Sequence, residues 1–197
     1  MSVTIQRHRV GITWHESSAM ARAAHAVREN EHVWLIDPFD DPDALAAVAE
    51  LGEPSAVIQL LDRHNRDCAP IADRLGVPHL RLPAAVAGSP FEVVKVISQR
   101  WWTELALWWP AEQTLVVAEA VGTGPAFRLG RELGVHPMLR LLPPGALQPF
   151  SPDLILVGHG PAIETGGAPA LSDALANARL DTPKLLLQIP SLIRSGL

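Results

Sequence analysis

The chain has 197 residues, 48% of them hydrophobic and 19% charged, and a formal charge of −5 from 16 basic and 21 acidic side chains. That length supports one substantial core, that composition folds, and that charge balance argues against a general nucleic-acid binder. No apolar run reaches the roughly 18–20 residues of a membrane span, and Met1–Arg9 carries no secretory pattern. The single cysteine, Cys68, excludes an internal disulfide and suits a reducing compartment. The expectation is one domain over residues 1–197, cytoplasmic, with neither nucleic acid nor membrane as partner.

Taken in chain order, Val3–Trp14 alternates weakly and supplies one or two outer strands, and Val33–Ile36 is a short apolar strand. Asp41-Pro42-Asp43 caps a helix over Ala44–Leu51 that Gly52 stops. A strand over Ala56–Leu61 follows, then a polar stretch to Cys68 and a short helix, Pro70–Leu75, ended by Gly76. Phe91–Ile97 reads as a strand, and Trp101-Trp102 and Trp108-Trp109 bracket another. After strand Thr114–Val117 come a helix over Pro125–Leu133, a proline-broken loop over Leu142–Pro152, strand Leu154–Val157 and helix Ala170–Ala178. The apolar tail beyond Asp181 is expected to dock on the body or on a partner. Continuous apolar strands are covered on both faces, and their alternation with helices indicates α/β layers.

Polar residues stand at the ends of four of these strands: Asp37 after Ile36, the Asp62–Cys68 stretch, Glu119 after Val117-Ala118, and His159 between Gly158 and Gly160. Polar groups at strand ends are where sites form. Their order and spacing resemble the metallo-β-lactamase superfamily. The resemblance implies an αββα sandwich, two mixed sheets covered by helices, across most of the chain. Leu35-Ile36-Asp37-Pro38 is similar to that family's early strand ending in aspartate. Arg63-His64-Asn65-Arg66-Asp67-Cys68 stands where the family has His-x-His-x-Asp-His, Ala118-Glu119 where it has Gly-Asp, and Gly158-His159-Gly160 at its closing strand end.

The departures matter most for function. Aligned this way, Arg63 and Asn65 replace two first-site histidines, Arg100 falls near the third, Glu119 replaces the bridging aspartate and Cys68 a second-site histidine. Only Asp67 and His159 match. A guanidinium cannot ligate zinc, and its charge opposes a nearby dication. The resemblance therefore implies a degenerate metal site and a non-catalytic or altered-function homologue, binding a small molecule or a protein, with no cofactor. Asp37, Arg63, Asn65 and Arg100 would line its pocket. The alternative is a mononuclear hydrolase of an ester, thioester, amide or phosphodiester, with one zinc ion on Asp67, Cys68, Glu119 and His159. A third reading makes Cys68 a nucleophile with His159 as its base. In the metal-free case Arg63 or Arg100 takes the vacated charge position against Asp67 or Glu119.

Other residues read as structural. His64 lies one place off both ligand positions, so period-2 alternation turns it away from the pocket. His8, His15, His25 and His32 lack ligand spacing and read as surface residues, while His79 and His136 sit beside prolines in connections. Each tryptophan pair sends one ring inward and one outward, and a homo-oligomer through exposed tryptophans or the apolar tail is a candidate partner arrangement.

Overall fold

The hydrophobic runs sort into two mixed sheets. The computed structural model describes residues 2–18 and 20–194, with the backbone alone for 183–194. The first sheet holds β1 (Val3–His8), β2 (Gly11–Glu16), β3 (Ala23–Glu29), β4 (His32–Ile36), β5 (Glu53–Gln59) and β6 (His79–Arg81), side by side in that order. β1 to β4 form an antiparallel meander, whereas β4, β5 and β6 are parallel and are linked through α1 (Pro42–Ala49) and α2 (Cys68–Leu75). The second sheet holds β7 (Glu92–Gln99), β8 (Trp102–Trp109), β9 (Thr114–Val117) and, later in the chain, β12 (Leu154–Val157), ordered β12-β9-β8-β7. A small ribbon of β10 (Val121–Gly122) and β11 (Gly134–Val135) flanks α3 (Pro125–Arg128), and α4 spans Gly167–Arg194.

Side-chain alternation assigns the layers. In β4, Val33 and Leu35 face outward onto Ala44 and Val48 of α1 and Ile71 of α2, while Trp34 and Ile36 face the second sheet. The inner layer joins Ile58, Leu107, Val116 and Leu156, and on the far side of the second sheet Ile155 meets α4, which adds Leu171 and Ala174. The result is the αββα sandwich expected from the sequence. Among the described residues no helix is long and apolar enough to cross a membrane.

Several local expectations change. The N-terminal region makes three strands rather than one or two, and β3 carries His25 into the interior rather than onto the surface. That burial is tolerable because His25 Nδ1 lies 2.8 Å from Thr13 Oγ1. α2 starts at Cys68, with Gly76 in the left-handed conformation at its end (φ 67°). α3 stops at Arg128, and α4 starts at Gly167. Trp102 and Trp109 are buried, Trp108 is half-buried and Trp101 is exposed. The expected docking of the tail concerns side chains from 183 onward, outside the described residues.

Candidate functional site

β5 ends at Gln59, and the chain then leaves extended geometry. Leu60 and Leu61 cross to the second sheet, where Leu105 N–H donates to Leu60 O and Asp62 Oδ2 accepts from Thr103 N–H at 2.8 Å. A turn follows, with His64 N–H on Leu61 O, and Arg66 takes a positive φ of 41°. In a turn the period-2 rule does not hold, so His64 faces inward and is buried, contrary to the sequence reading. Its Nδ1 lies 3.2 Å from Oδ2 of Asp37, whose Oδ1 accepts from Leu60 N–H. Asp37 is itself buried, so strand β4 and the crossing loop are tied by one carboxylate.

Two further strand ends meet this loop. Gly158 follows β12, and a Cβ there would collide with Ala118 O, so only glycine allows the two strand ends to approach. His159 then projects inward, and its Nδ1 lies 2.8 Å from Met20 O. Glu119 follows β9 and is fixed from behind by Glu104, a fully buried carboxylate on β8. Glu104 Oε1 accepts from Glu119 N–H and Ala120 N–H at 2.8 Å each, and its Oε2 accepts from Trp102 Nε1 at 3.0 Å. Burial pushes the Glu104 carboxyl up to about 7 despite those three donors.

One ligand atom from each of His64, Glu119 and His159 lies within 4.8 Å of the others, and all three residues are buried. Their hydrogen bonds assign the ring protons. A carbonyl can only accept, so His159 carries its proton on Nδ1 toward Met20, and Nε2 keeps a lone pair. Nε2 of His159 is buried with no hydrogen-bond partner, 3.8 Å from Glu119 Oε1. His64 likewise directs Nδ1 to a carboxylate, which leaves Nε2 as its free nitrogen. His136 differs: its Nδ1 accepts from Met138 N–H, so its Nε2 presents hydrogen toward Glu119 Oε1 at 3.9 Å.

The surroundings are aromatic and cationic. Phe127 stacks on His159 at 5.2 Å, and Trp102 meets His136 edge-on at 4.9 Å. Arg63 lies over Trp102, with Cζ 4.1 Å from the ring centre, and its Nη2 pairs with Glu119 Oε2 at 2.8 Å. Arg66 donates to the carbonyls of Ala23, Asp37 and Gly158, stapling three strand ends. Burial, reinforced by the charge of Arg66, pushes His159 down to about 4. Burial also lowers His136. For Glu119 burial acts upward, but His64, the hydrogen bond and charge of Arg63, and His136 beside it together hold its carboxyl below the usual value.

Of the residues nominated from the sequence, Asp37, Arg63, Glu119 and His159 come together. Asp67 and Cys68 do not join them. Asp67 Oδ2 accepts from Asp40 N–H on the helix side of the first sheet. Cys68 packs in the outer cluster with Ile71 and Ala72, with Sγ 3.7 Å from His64 O. Burial, with Asp37 nearby, pushes its thiol up to about 12, which removes the thiolate a nucleophile needs. Asn65 is exposed and accepts from Gln59 Nε2, and Arg100 is exposed in the turn between β7 and β8. Sequence reasoning passed over Glu104, Trp102, Phe127 and His136 as site residues. Glu104 did leave a signal: one acid inside the apolar run Leu105-Ala106-Leu107 and its flanking tryptophans.

No protein-family model matches the chain, and no curated protein sequence does. Solved structures do match. The DIM-1 metallo-β-lactamase exposed to ceftazidime is 11% identical with a TM-score of 0.58, covering 93% of this chain and 98% of that one. TMB-1, at 12% identity and TM-score 0.58, has the same coverage, and VMB-1, at 10% and 0.60, covers 90% and 96%. At such identities the likeness establishes the fold: the chain has the metallo-β-lactamase fold.

Proposed function

We propose that this metallo-β-lactamase-fold chain holds a single divalent ion, through His64, Glu119 and His159, and is a mononuclear hydrolase rather than a dinuclear one. The observation that carries this reading is the convergence of one ligand atom each from two buried imidazoles and a buried carboxylate, all within 4.8 Å of one another. Three acceptors facing one point repel unless a cation or a donor stands between them. The orphaned Nε2 of His159 fits such a cation, and both rings have the outer partner that metal-binding histidines use to fix orientation. Two histidines and one carboxylate suit zinc and leave a coordination position open.

An ion held there would supply Lewis acidity for cleaving an ester, thioester, amide or phosphodiester. The chain's own residues do the rest. Asp37 and Met20 O hold the two imidazoles in register, and Glu104 holds Glu119. Trp102 and Phe127 limit water, and Arg63 brings N–H donors to the side where charge would develop.

The Arg63–Glu119 pair supports a second reading: a metal-free pocket, neutralised by the arginine, that binds a small molecule without turnover. Elemental analysis of tag-free protein purified without added metal separates the two. Near one equivalent of zinc per chain, lost in His64→Ala and His159→Ala but kept in Asp67→Ala and Cys68→Ala, is expected. Protein that carries no ion and takes up none on zinc titration would leave the metal-free reading in its place.

A further inference from the structure

We infer that Arg63 is a built-in competitor for the cation site: its guanidinium neutralises Glu119 while no ion is bound, and weakens ion binding by doing so. The inference rests on the single-ion reading above. The two oxygens of Glu119 are divided between two tasks. Oε2 accepts from Arg63 Nη2 at 2.8 Å and Nε at 3.2 Å, whereas Oε1 faces Nε2 of His159 at 3.8 Å and of His136 at 3.9 Å. One carboxylate thus stands between a resident monovalent cation and the point where the lone pairs converge.

Arg63 is also the partner able to give way. Its side chain is 41% exposed against 12% for Glu119. It rests on the face of Trp102 and, among the described residues, reaches one backbone acceptor, Trp101 O, at 3.4 Å. Arg66, the other nearby guanidinium, cannot take its place, because its donors go to the carbonyls of Ala23, Asp37 and Gly158.

Removing Arg63 acts twice in one direction. The ion-free state loses the charge that compensates a largely buried carboxylate, and the loaded state loses the repulsion between guanidinium and dication. If the arginine instead served only to orient Glu119 as a ligand, its removal would weaken binding, as loss of outer-shell partners does. The two roles predict opposite signs.

Zinc titration by isothermal calorimetry on the wild type, Arg63→Gln and Arg63→Lys decides between them, with the tryptophan fluorescence of each followed in parallel. Arg63→Gln is expected to bind zinc at least tenfold more tightly at unchanged stoichiometry, with Arg63→Lys between it and the wild type. The fluorescence change that zinc produces in the wild type, as the guanidinium shifts on Trp102, should be absent from Arg63→Gln. Equal or weaker binding by Arg63→Gln overturns the inference and leaves the single-ion reading standing. Absence of zinc binding from all three proteins overturns that reading, and this inference with it.

Discussion

The two faces of the six-stranded sheet arrange their polar groups differently. On the outer face polar groups are scattered and several have local partners: Trp14 Nε1 donates to Phe39 O, Asp67 accepts from Asp40 N–H, and the Cys68 thiol lies against His64 O. On the inner face, where the sheet meets the second one, Nε2 of His25, Nε of Arg66 and Nε2 of His159 are buried without hydrogen-bond partners. An unmet buried polar atom costs roughly 1–3 kcal/mol. The outer face has such atoms too, Nε2 of His79 and Oε1 of Gln59, but they stand apart, whereas the orphaned nitrogen of His159 lies among His64 and Glu119, so the outer layer is structural and the inner one chemical. The six-residue run Arg63–Cys68 spans both, with Arg63, His64 and Arg66 turned inward and Asp67 and Cys68 outward.

The largest expected effect tests the support beneath the inner layer. Glu104→Leu would leave Glu119 N–H, Ala120 N–H and Trp102 Nε1–H without their acceptor, and should destabilise the protein by about 3–5 kcal/mol, read as a lowered urea midpoint. A loss under about 1 kcal/mol would mean that the inner layer does not depend on this carboxylate. On the outer face, Ile71→Ala removes packing from the α1–α2 layer and should cost about 2–4 kcal/mol. Its zinc stoichiometry should match the wild type, and a lost ion would break the division between the faces.

Acid should strain the same inner region. Burial pushes His8 down to about 4 in the folded protein, and fully buried His25, joined to it through Thr13, lies well below its ordinary value. The unfolded chain binds these protons near pH 6.5, so stability is fully present above that value and declines as pH falls toward about 4. His8 alone accounts for a loss on the order of 2–3 kcal/mol across that window. His8→Gln should flatten the slope of urea stability against pH, and an unchanged slope would remove His8 as its source.

The smallest expected effect concerns stability at the mouth of the site. Arg63→Gln breaks a half-exposed ion pair and should shift stability by no more than about 1 kcal/mol, as partly exposed pairs do. A drop of several kcal/mol in thermal or urea unfolding would make Arg63 part of the structural layer instead.

Much of the layering was legible from local pattern. Val33–Ile36, Thr114–Val117 and Leu154–Val157 read as strands because their apolar runs are short, β-branched and bounded by turn residues. The site was half legible: Asp37, Glu119 and His159 stand one or two residues beyond the ends of such strands, so finding the strand finds the residue. His64 was not, because its direction depends on a turn that forms only when Leu60 and Leu61 bridge to β8. Nor was β3, whose His25 and three alanines carry a weak apolar signal until the strand sits between two neighbours.

What the sequence determined by itself was therefore the set of strands and helices with strong periodicity, the order of the polar strand ends, and the presence of an arginine where a zinc ligand was expected. Those are properties of residues and their spacing, and spacing survives without the rest of the fold. Only the tertiary structure decided which polar groups meet. Asp67 and His64 lie three positions apart, yet the first bonds to Asp40 on the helix side while the second joins Glu119 and His159 between the sheets. Between them lie Asn65 and a turn residue at positive φ, Arg66, which is held by carbonyls of Ala23, Asp37 and Gly158 from three other segments. Side-chain direction in a turn follows from such long-range bonds, which no local pattern contains.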